Sequence, residues 1–444
     1  MEKRKRRKPL LITGIVLVSI IGVLLLTVGS YLIYVIADYS RIGDIELVVN
    51  NNQTVKLDES QIGTKEFSIS SYNIGFGAYE REYSFFMDTS VFKDEYVESQ
   101  GKRENTGAKS HAFGKENVLT NTYGAYDTMI KQGDLDFLLY QEVDTSSTRS
   151  FKVDQYEIGN EKHANYGNLF GVNYHSSYLM YPFHEPIGQS NSGISTYAKY
   201  NVSNAKRYEF KITDSFFGKF FDLDRSFTIA EFAISGSEKK LFIINVHMSA
   251  YDENGVVRKI QLEQLKEVYQ EVRDIDGKDN YVIVGGDFNH DLLIDDPRPE
   301  AADYKANFNQ QETDGLVMDW YNYLRLDPSK HGQTTTNVWG EEEVYSYDFL
   351  DTDIKPAGPT NLPTCRDASI PFADANKNNI IDNFMVTIDG FLVSSNIEVL
   401  DVTTIGSGPG LQKEPLLEDD GLIYGKGFVY SDHNPVVMNF KLAA

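Results

Sequence analysis

The chain has little cysteine, little proline and few cations outside one short stretch. A single cysteine, Cys365, in 444 residues excludes an intramolecular disulfide and any metal centre built on several thiolates. So little cysteine in a chain that works outside the cell fits a bacterial surface better than a disulfide-rich secreted animal domain. Only 13 prolines stand beside 28 tyrosines and 26 phenylalanines, which argues against disorder and for a β-rich globular body. The formal charge is −23 and is unevenly placed. The first eight residues, MEKRKRRK, carry six cations and one Glu, a net +5, which leaves −28 on the remainder of the chain. A body that acidic repels polyanions at long range, so avid non-specific nucleic-acid binding of the electrostatic kind is not expected. Bound divalent cations would offset part of this charge locally.

Charge is also missing from Pro9 to Ala37, "PLLITGIVLVSIIGVLLLTVGSYLIYVIA". About 20 apolar residues cross the hydrocarbon core as a helix, so this run spans with tilt to spare. A cleaved signal peptide has a shorter apolar region and a small-residue cleavage site, and no convincing A-x-A pattern stands here. The run therefore reads as an uncleaved transmembrane helix, with Tyr31 and Tyr34 near its far end, where aromatics favour the interface. The basic run before it keeps the N-terminus in the cytoplasm and places the chain after Asp38 outside. Directly abutting a span, a nuclear-localisation or nucleic-acid role for the same cations is set aside. The expected organisation is a basic tail (1–8), a transmembrane helix (9–37), a polar stalk (38–64) and one catalytic domain (65–444).

Along that domain, "KEFSISSYNIGFGAY" opens with period-2 alternation at Phe67 and Ile69. Residues 117–133 read as a helix ending at Gly133, and 256–273 place Ile260, Leu262, Leu265 and Val268 at helical spacing. "LDFLLYQEVD", "GISTYAKYNV", "TIAEFAI", "KLFIINVHMSA", "YVIVGGDFNHD", "NFMVTIDGFLVS" and "GFVYSDHNPVVMNFKL" read as strands. No internal repeat is present. Strands with interspersed helices in this order suggest an α+β sandwich with helices outside.

Polar residues gather at the strand ends: Asn73, Glu142, His247, Asp287, Asn289, Asp389, Asp432 and His433. Any one of them alone is an ordinary turn residue or a structural histidine. Together they offer hard oxygen ligands suited to Mg²⁺, Mn²⁺ or Ca²⁺, and histidines able to move a proton near neutral pH. Glu142 is the natural carboxylate for the cation. An Asp beside a His can orient the ring and stabilise its charged form. Asn73 and Asn289 can donate to phosphate oxygens or to an attacking water. Hydrolysis of a phosphodiester needs these same parts: charge neutralised and a water activated.

The ordered motifs "SYNI", "LYQEVD", "SGISTY", "INVHMS", "GGDFNHD", "IDGFLVS" and "YSDHNPV" resemble the endonuclease/exonuclease/phosphatase superfamily over roughly residues 65–442. The resemblance implies a four-layered α/β/β/α sandwich with its site at one rim, where strand ends of both sheets meet. It implies Glu142 as principal metal ligand with Asn73 beside it, and Asp432 as a second metal-side ligand. It implies Asp287 and Asn289 as the pair that positions water and phosphate. His433 resembles the general base, paired with Asp389, and His247 the second histidine. Asp382, in "IIDNF", is the rival of Asp389; "IDGFLVS" matches the family pattern better, although Gly390 replaces the usual aromatic. Arg149 and Arg225 could add bidentate phosphate contacts or could be structural salt bridges. "DANKNN" (374–379) lacks the Gly and Glu that a Ca²⁺ loop requires.

The favoured function is a membrane-anchored, extracellular, metal-dependent phosphodiesterase of nuclease type. A sphingomyelinase-like phospholipid phosphodiesterase is the alternative, supported by Phe216, Phe217, Phe220 and Phe221 in "DSFFGKFFDLDR". Those phenylalanines could form a membrane-docking loop or could be core. A catalytically inactive surface-binding module is the third reading, and the intact set of site residues speaks against it. The substrate is thus nucleic acid or phospholipid, with specificity expected in the loops 80–116 and 295–370.

Overall fold

The computed structural model describes residues 7–38, 41–80, 83, 85, 109–211, 224–250, 256–289, 292, 334–336, 342–344, 353–366, 385–406, 418–419, 422–423 and 427–444. The four phenylalanines from Phe216 to Phe221, Asp382, "DANKNN" and most of the two specificity loops lie outside these residues.

Four helices organise the described chain: α1 (Arg7–Asp38), α2 (Lys115–Ile130), α3 (Gln155–Lys162) and α4 (Val256–Asp274). The principal strands are, in chain order, β1 (Ile45–Glu46), β2 (Leu57–Asp58), β3 (Phe67–Asn73), β4 (Phe137–Asp144), β5 (Gly167–Leu179), β6 (Gly188–Ala198) and β7 (Asn204–Glu209). They continue with β8 (Ser226–Ser235), β9 (Lys240–His247), β10 (Tyr281–Asp287), β11 (Ile354–Ala357), β12 (Asp389–Ser394), β13 (Ile397–Thr404) and β14 (Val436–Leu442). One sheet runs β13–β14–β3–β4–β6–β5; the other runs β1–β7–β8–β9–β10–β12–β11, with β2 on the far end of β8. The pairs β3/β4 and β9/β10 are parallel. A parallel pair needs a crossover, and α2 and α4 supply them.

Side-chain alternation makes the layers. In β10, Tyr281 and Ile283 enter the core between the sheets while Val282 and Val284 face α4. In β4, Phe137 and Leu139 enter the same central core while Leu138 and Tyr140 face α2 and α3. Strands covered on both faces read as continuous apolar runs for this reason. Leu265, Val268, Tyr269 and Val272 of α4 bury one helical stripe on the outer face of the second sheet. Three apolar clusters therefore separate four layers, helix–sheet–sheet–helix, the expected sandwich. Each fully buried side chain such as Phe137 contributes about 2 kcal/mol.

The stretch expected as a stalk packs on the sandwich over its described part. β1 pairs β7, Asn50 bridges Asn168, and Leu57 belongs to the central core. Buried Arg207 fixes its start, donating from Nη1 to the Gly43 carbonyl (2.9 Å), from Nε to that of Val172 (2.7 Å) and from Nη2 to that of Asp224 (2.8 Å). Of the described helices, one is long and apolar enough to cross a membrane, judged by length and composition: Ile12–Asp38, mean hydropathy 2.6. A signal sequence would meet the same two criteria.

A buried histidine in the first sheet's outer core makes stability depend on pH. His163 lies among the rings of Tyr126, Tyr140, Tyr166 and Tyr197, and its Nε2 is hydrogen-bonded to the Tyr140 hydroxyl at 2.8 Å. Burial, aided by Lys162, pushes its pKa from 6.5 down to about 4. The unfolded chain takes up this proton below 6.5, whereas the folded chain refuses it until about 4, so stability falls across that window. The total is about 3 kcal/mol. His163→Gln, compared with the parent by urea unfolding near pH 7 and near pH 4.5, should lose less stability on acidification. Equal losses in the two proteins would refute the assignment.

Candidate active site

The parallel pairs decide where the site is. β3 and β4 end at one rim of their sheet, and β9 and β10 end at the same rim of the other. β12 runs antiparallel to β10 and β14 antiparallel to β3, so these two begin where the others end. Asn73 therefore closes β3, Glu142 lies near the end of β4, and His247 and Asp287 close β9 and β10. Asp389 opens β12, and Asp432 and His433 precede β14. His247, Asp287 and Asp389 stand directly opposite one another on three neighbouring strands.

The two glycines of "VIVGGD" are required by the close packing of neighbouring strands. A Cβ on Gly285 would meet the Phe391 ring at 2.7 Å and Leu139 at 2.8 Å; one on Gly286 would meet the Val246 carbonyl oxygen at 2.0 Å. Gly286 also has φ +146, a conformation side-chain-bearing residues rarely adopt. Gly286→Ala is expected to destabilise the fold by about 3 kcal/mol through overpacking and backbone strain. It should also displace His247 and Asp287 together; chemical denaturation checks the first effect, and an unchanged midpoint would refute it.

Beneath the rim, a buried polar bridge joins the sheets. Gln141 of β4 donates to the Asn245 side chain of β9 (2.8 Å), and Asn245 donates to the Ser195 carbonyl of β6 (3.0 Å). The residues one and two places further on are Glu142 and His247. The bridge thus fixes the register of the two sheets immediately under the site.

Asp287 is the centre of the arrangement. Its Oδ2 accepts from Asn73 Nδ2 at 3.0 Å and lies 3.7 Å from both His247 Nε2 and His433 Nε2. Its Oδ1 accepts from the Asn289 backbone N–H at 2.8 Å, while Asn289 donates its amide to the Met248 carbonyl at 2.8 Å. That amide is committed to the loop, and the Asn289 backbone is left-handed, φ 49.

His433 donates from Nδ1 to Asp389 Oδ2 at 2.7 Å. Asp389 is held in turn by Thr364, whose Oγ1 accepts its backbone N–H at 3.0 Å. Burial opposes the charged imidazole, but Asp389, with Cys365 and Asp287, outweighs it and raises the His433 pKa well above its ordinary value. Burial raises Asp389 to about 6 against the pull of His433. Ser431 links this corner to β3, donating to the Asn73 carbonyl at 2.8 Å.

Both ring nitrogens of His247 face donor groups. Asn173, in the middle of β5, accepts the Ser226 backbone N–H on Oδ1 at 2.7 Å, so its Nδ2 must face His247 Nδ1 at 3.2 Å. Nε2 faces the Arg225 guanidinium, which can only donate. Burial first, then Arg225, His433 and Arg149, hold the His247 pKa well below its ordinary value, so the ring is neutral. Arg225 Nη1 lies 3.0 Å from the same Nε2. Arg149 binds buried Asp144 through Nε (3.1 Å) and Nη2 (3.0 Å) and stacks 3.2 Å over the Phe76 ring. Its guanidinium is thus engaged as the structural salt bridge, beside the site.

Glu142 sits at a bulge in the β4/β6 pairing with left-handed backbone, φ 56. Its Oε1 is 3.6 Å from His247 Nε2, and its Oε2 is buried with no hydrogen-bond partner. Burial and the nearby Asp432 push its pKa up to about 8. An orphaned carboxylate oxygen crowded by another carboxylate fits a hard divalent cation. Asn73 as a ligand would offer only the second lone pair of an oxygen that already accepts from the Gly75 N–H at 3.0 Å. Asp287, Asp389 and His433 also bring ligand-type atoms within 4.8 Å of one another. His433 Nδ1 and Asp389 Oδ2 are spent on each other, however, so Glu142 and Asp432 are the better holders. Asn173, Gln141, Asn245, Thr364 and Ser431 are absent from the sequence-derived set. A polar residue inside an otherwise apolar strand was the available signal for Gln141 and Asn245.

No protein-family model matches the sequence, and no curated protein matches it. Solved structures do. An endonuclease/exonuclease/phosphatase family protein from Bacteroides thetaiotaomicron matches at 12% identity and TM-score 0.42, over 85% of this chain and 97% of that one. ANGEL2, a 2′,3′-cyclic phosphatase in complex with adenosine-2′,3′-vanadate, matches at 14% and 0.46, over 91% and 100%. Truncated Caenorhabditis elegans TDP2 matches at 14% and 0.40, over 86% and 100%. The chain is similar to endonuclease/exonuclease/phosphatase proteins. That likeness lies in the course of the chain; the chemistry rests on this chain's own side chains.

Proposed function

We propose that the protein is a divalent-metal-dependent phosphodiesterase of nuclease type, held at a membrane by α1 with its catalytic domain outside the cell. The observation that carries the reading is the His433–Asp389 pair at 2.7 Å, with its other ring nitrogen turned toward Asp287 and Asn73 and with His247 and Glu142 across the rim.

Asp389 fixes the Nδ1 proton of His433, so Nε2 is the atom at which a proton is taken or given. Asn73 and Asp287 hold that nitrogen's surroundings in place. His247, held neutral by burial, stands with Nε2 against the Arg225 guanidinium at the same rim. A guanidinium at that place suits a phosphoryl oxygen. Glu142, with Asp432, would hold the cation, which would neutralise phosphate charge and acidify a bound water.

The anchoring reading rests on the apolar exposure of α1: Leu26 is 72% and Val18 69% exposed, which water would not tolerate over a whole helix. The basic run before it supports a cytoplasmic N-terminus.

The full chain in detergent or vesicles should be offered plasmid DNA, RNA, sphingomyelin and bis-p-nitrophenyl phosphate with Mg²⁺, Mn²⁺ or Ca²⁺. Cleavage of nucleic acid that vanishes on His433→Ala supports the nuclease reading; cleavage of sphingomyelin instead supports the phospholipid one. Inactivity on all four substrates would overturn both.

A further inference from the structure

Between β5 and β6 the chain turns through residues 180–187, "MYPFHEPI". This turn exposes apolar surface that a water-facing hairpin has no use for. Met180 is 48% exposed, Tyr181 60% and Phe183 86%, with Tyr178 at 40% just before them. The display is built. Ile187 N–H donates to the Tyr181 carbonyl (3.0 Å) and Glu185 N–H to that of Pro182 (3.1 Å). The Glu185 side chain also accepts the Ser110 backbone N–H (2.7 Å), bracing the turn on the body. The aromatic rings therefore project outward from a fixed frame.

The hairpin also touches the end of α1, and the order of the contacts gives its direction. The Tyr178 N–H donates to the Tyr34 hydroxyl (3.3 Å), and the Met180 N–H donates to the Tyr31 hydroxyl (3.1 Å). The Tyr31 hydroxyl donates back to the Tyr178 carbonyl (3.2 Å). As the hairpin advances from Tyr178 to Met180, its helix partner retreats from Tyr34 to Tyr31, about one turn toward the helix N-terminus. The hairpin runs back down along α1. Tyr181 and Phe183 follow at once, in the turn next to this end of α1.

We propose that Tyr178–Phe183 is a second membrane contact, seated in the interfacial layer of the same lipid bilayer that α1 crosses. This rests on the reading of α1 as a membrane span. Aromatic side chains partition to that layer because an apolar ring with a polar edge suits the headgroup level. β5 carries Asn173 at the site and runs on to this tip, so the catalytic rim faces the membrane, roughly 20 Å from the tip.

The test uses the full chain with Cys365→Ser, which leaves no native thiol, reconstituted in phosphatidylcholine vesicles. Phe183→Cys, labelled with an environment-sensitive nitrobenzoxadiazole dye, reports the tip; Met180→Cys repeats it at a second position. Ile20→Cys reports the middle of α1 and Tyr123→Cys a surface position on α2. The expected result is blue-shifted emission at 183 and 180, quenched by nitroxides on the lipid, with emission at 123 that of water. Water-like, unquenched emission at 183 and 180 while 20 is quenched would overturn the proposal and leave the span standing; that result also covers a protein partner or a second copy on the hairpin. Water-like emission at 20 as well would overturn both.

Discussion

His433→Ala should lower turnover of a phosphodiester substrate by about a hundredfold to ten-thousandfold, the range general acid–base catalysis contributes. The loss should fall on kcat with KM little changed, because no other side chain among the described residues offers a proton-carrying atom at the same point. His247 cannot substitute, since burial and then Arg225 hold it neutral. Asp389→Asn should cost less, because the amide oxygen can still accept from Nδ1 while the imidazolium loses its counter-charge. The alanine variant leaves Asp389 without its partner, and that carboxyl, already raised to about 6, can take up a proton instead of staying buried and charged. The fold should therefore survive, as circular dichroism would show. A folded alanine variant that keeps more than about a tenth of the parent rate would remove His433 from proton transfer.

The candidate residues could be picked out because they stand where apolar strands stop. Asn73, Glu142, His247 and Asp287 each come after a run that must be a buried strand, and a polar group at its end has few uses apart from turns. That they meet was not legible from spacing. It depends on β3/β4 and β9/β10 being parallel while β12 and β14 enter antiparallel, which long-range pairing decides. Asn173 escaped notice because it lies mid-strand in β5, where a polar residue reads as solvent-facing; the close approach of β8 turns it inward. α3 escaped because "QYEIGNEK" has almost no apolar periodicity and is held by its neighbours, including the Asp154 cap on Glu157 (2.9 Å). The stretch after α1 looked like a polar stalk because its strands, β1 and β2, are two residues long. The single long strand expected across "NFMVTIDGFLVS" is instead two pieces, Met385–Val386 and β12, and the break lets Thr364 reach the backbone of Ile388 and Asp389. "GFVYSDHNPVV" is loop until Val436, which is what frees Asp432 and His433 to face the rim.

Glu142→Gln should abolish the stabilisation that a divalent cation gives and reduce turnover by about a hundredfold or more, a loss comparable to removing one transition-state donor. A cation at a hundred times its Kd adds about 2.7 kcal/mol to the folded state, and the corresponding rise in Tm should be missing in the variant. Without metal the effect should reverse. The parent keeps a carboxylate oxygen buried without a partner and close to Asp432, so its pKa lies near 8 instead of 4.5. A carboxyl whose folded pKa is raised destabilises the fold as pH climbs from 4.5 toward 8, because the unfolded chain ionises first. The side chain keeps 14% of its surface exposed, so this cost is discounted to at most about 4 kcal/mol. Metal-free Glu142→Gln should therefore match the parent near pH 4.5 and exceed it in stability near pH 8. The left-handed backbone at Glu142 leads to the same conclusion, since strain of about 1–3 kcal/mol at a non-glycine residue persists where it aims a needed side chain. If Mg²⁺ raises the Tm of the glutamine variant as much as that of the parent, the cation is held elsewhere. Asp287 and the His433–Asp389 pair would then be the remaining place for it among the described residues, at the cost of their hydrogen bond.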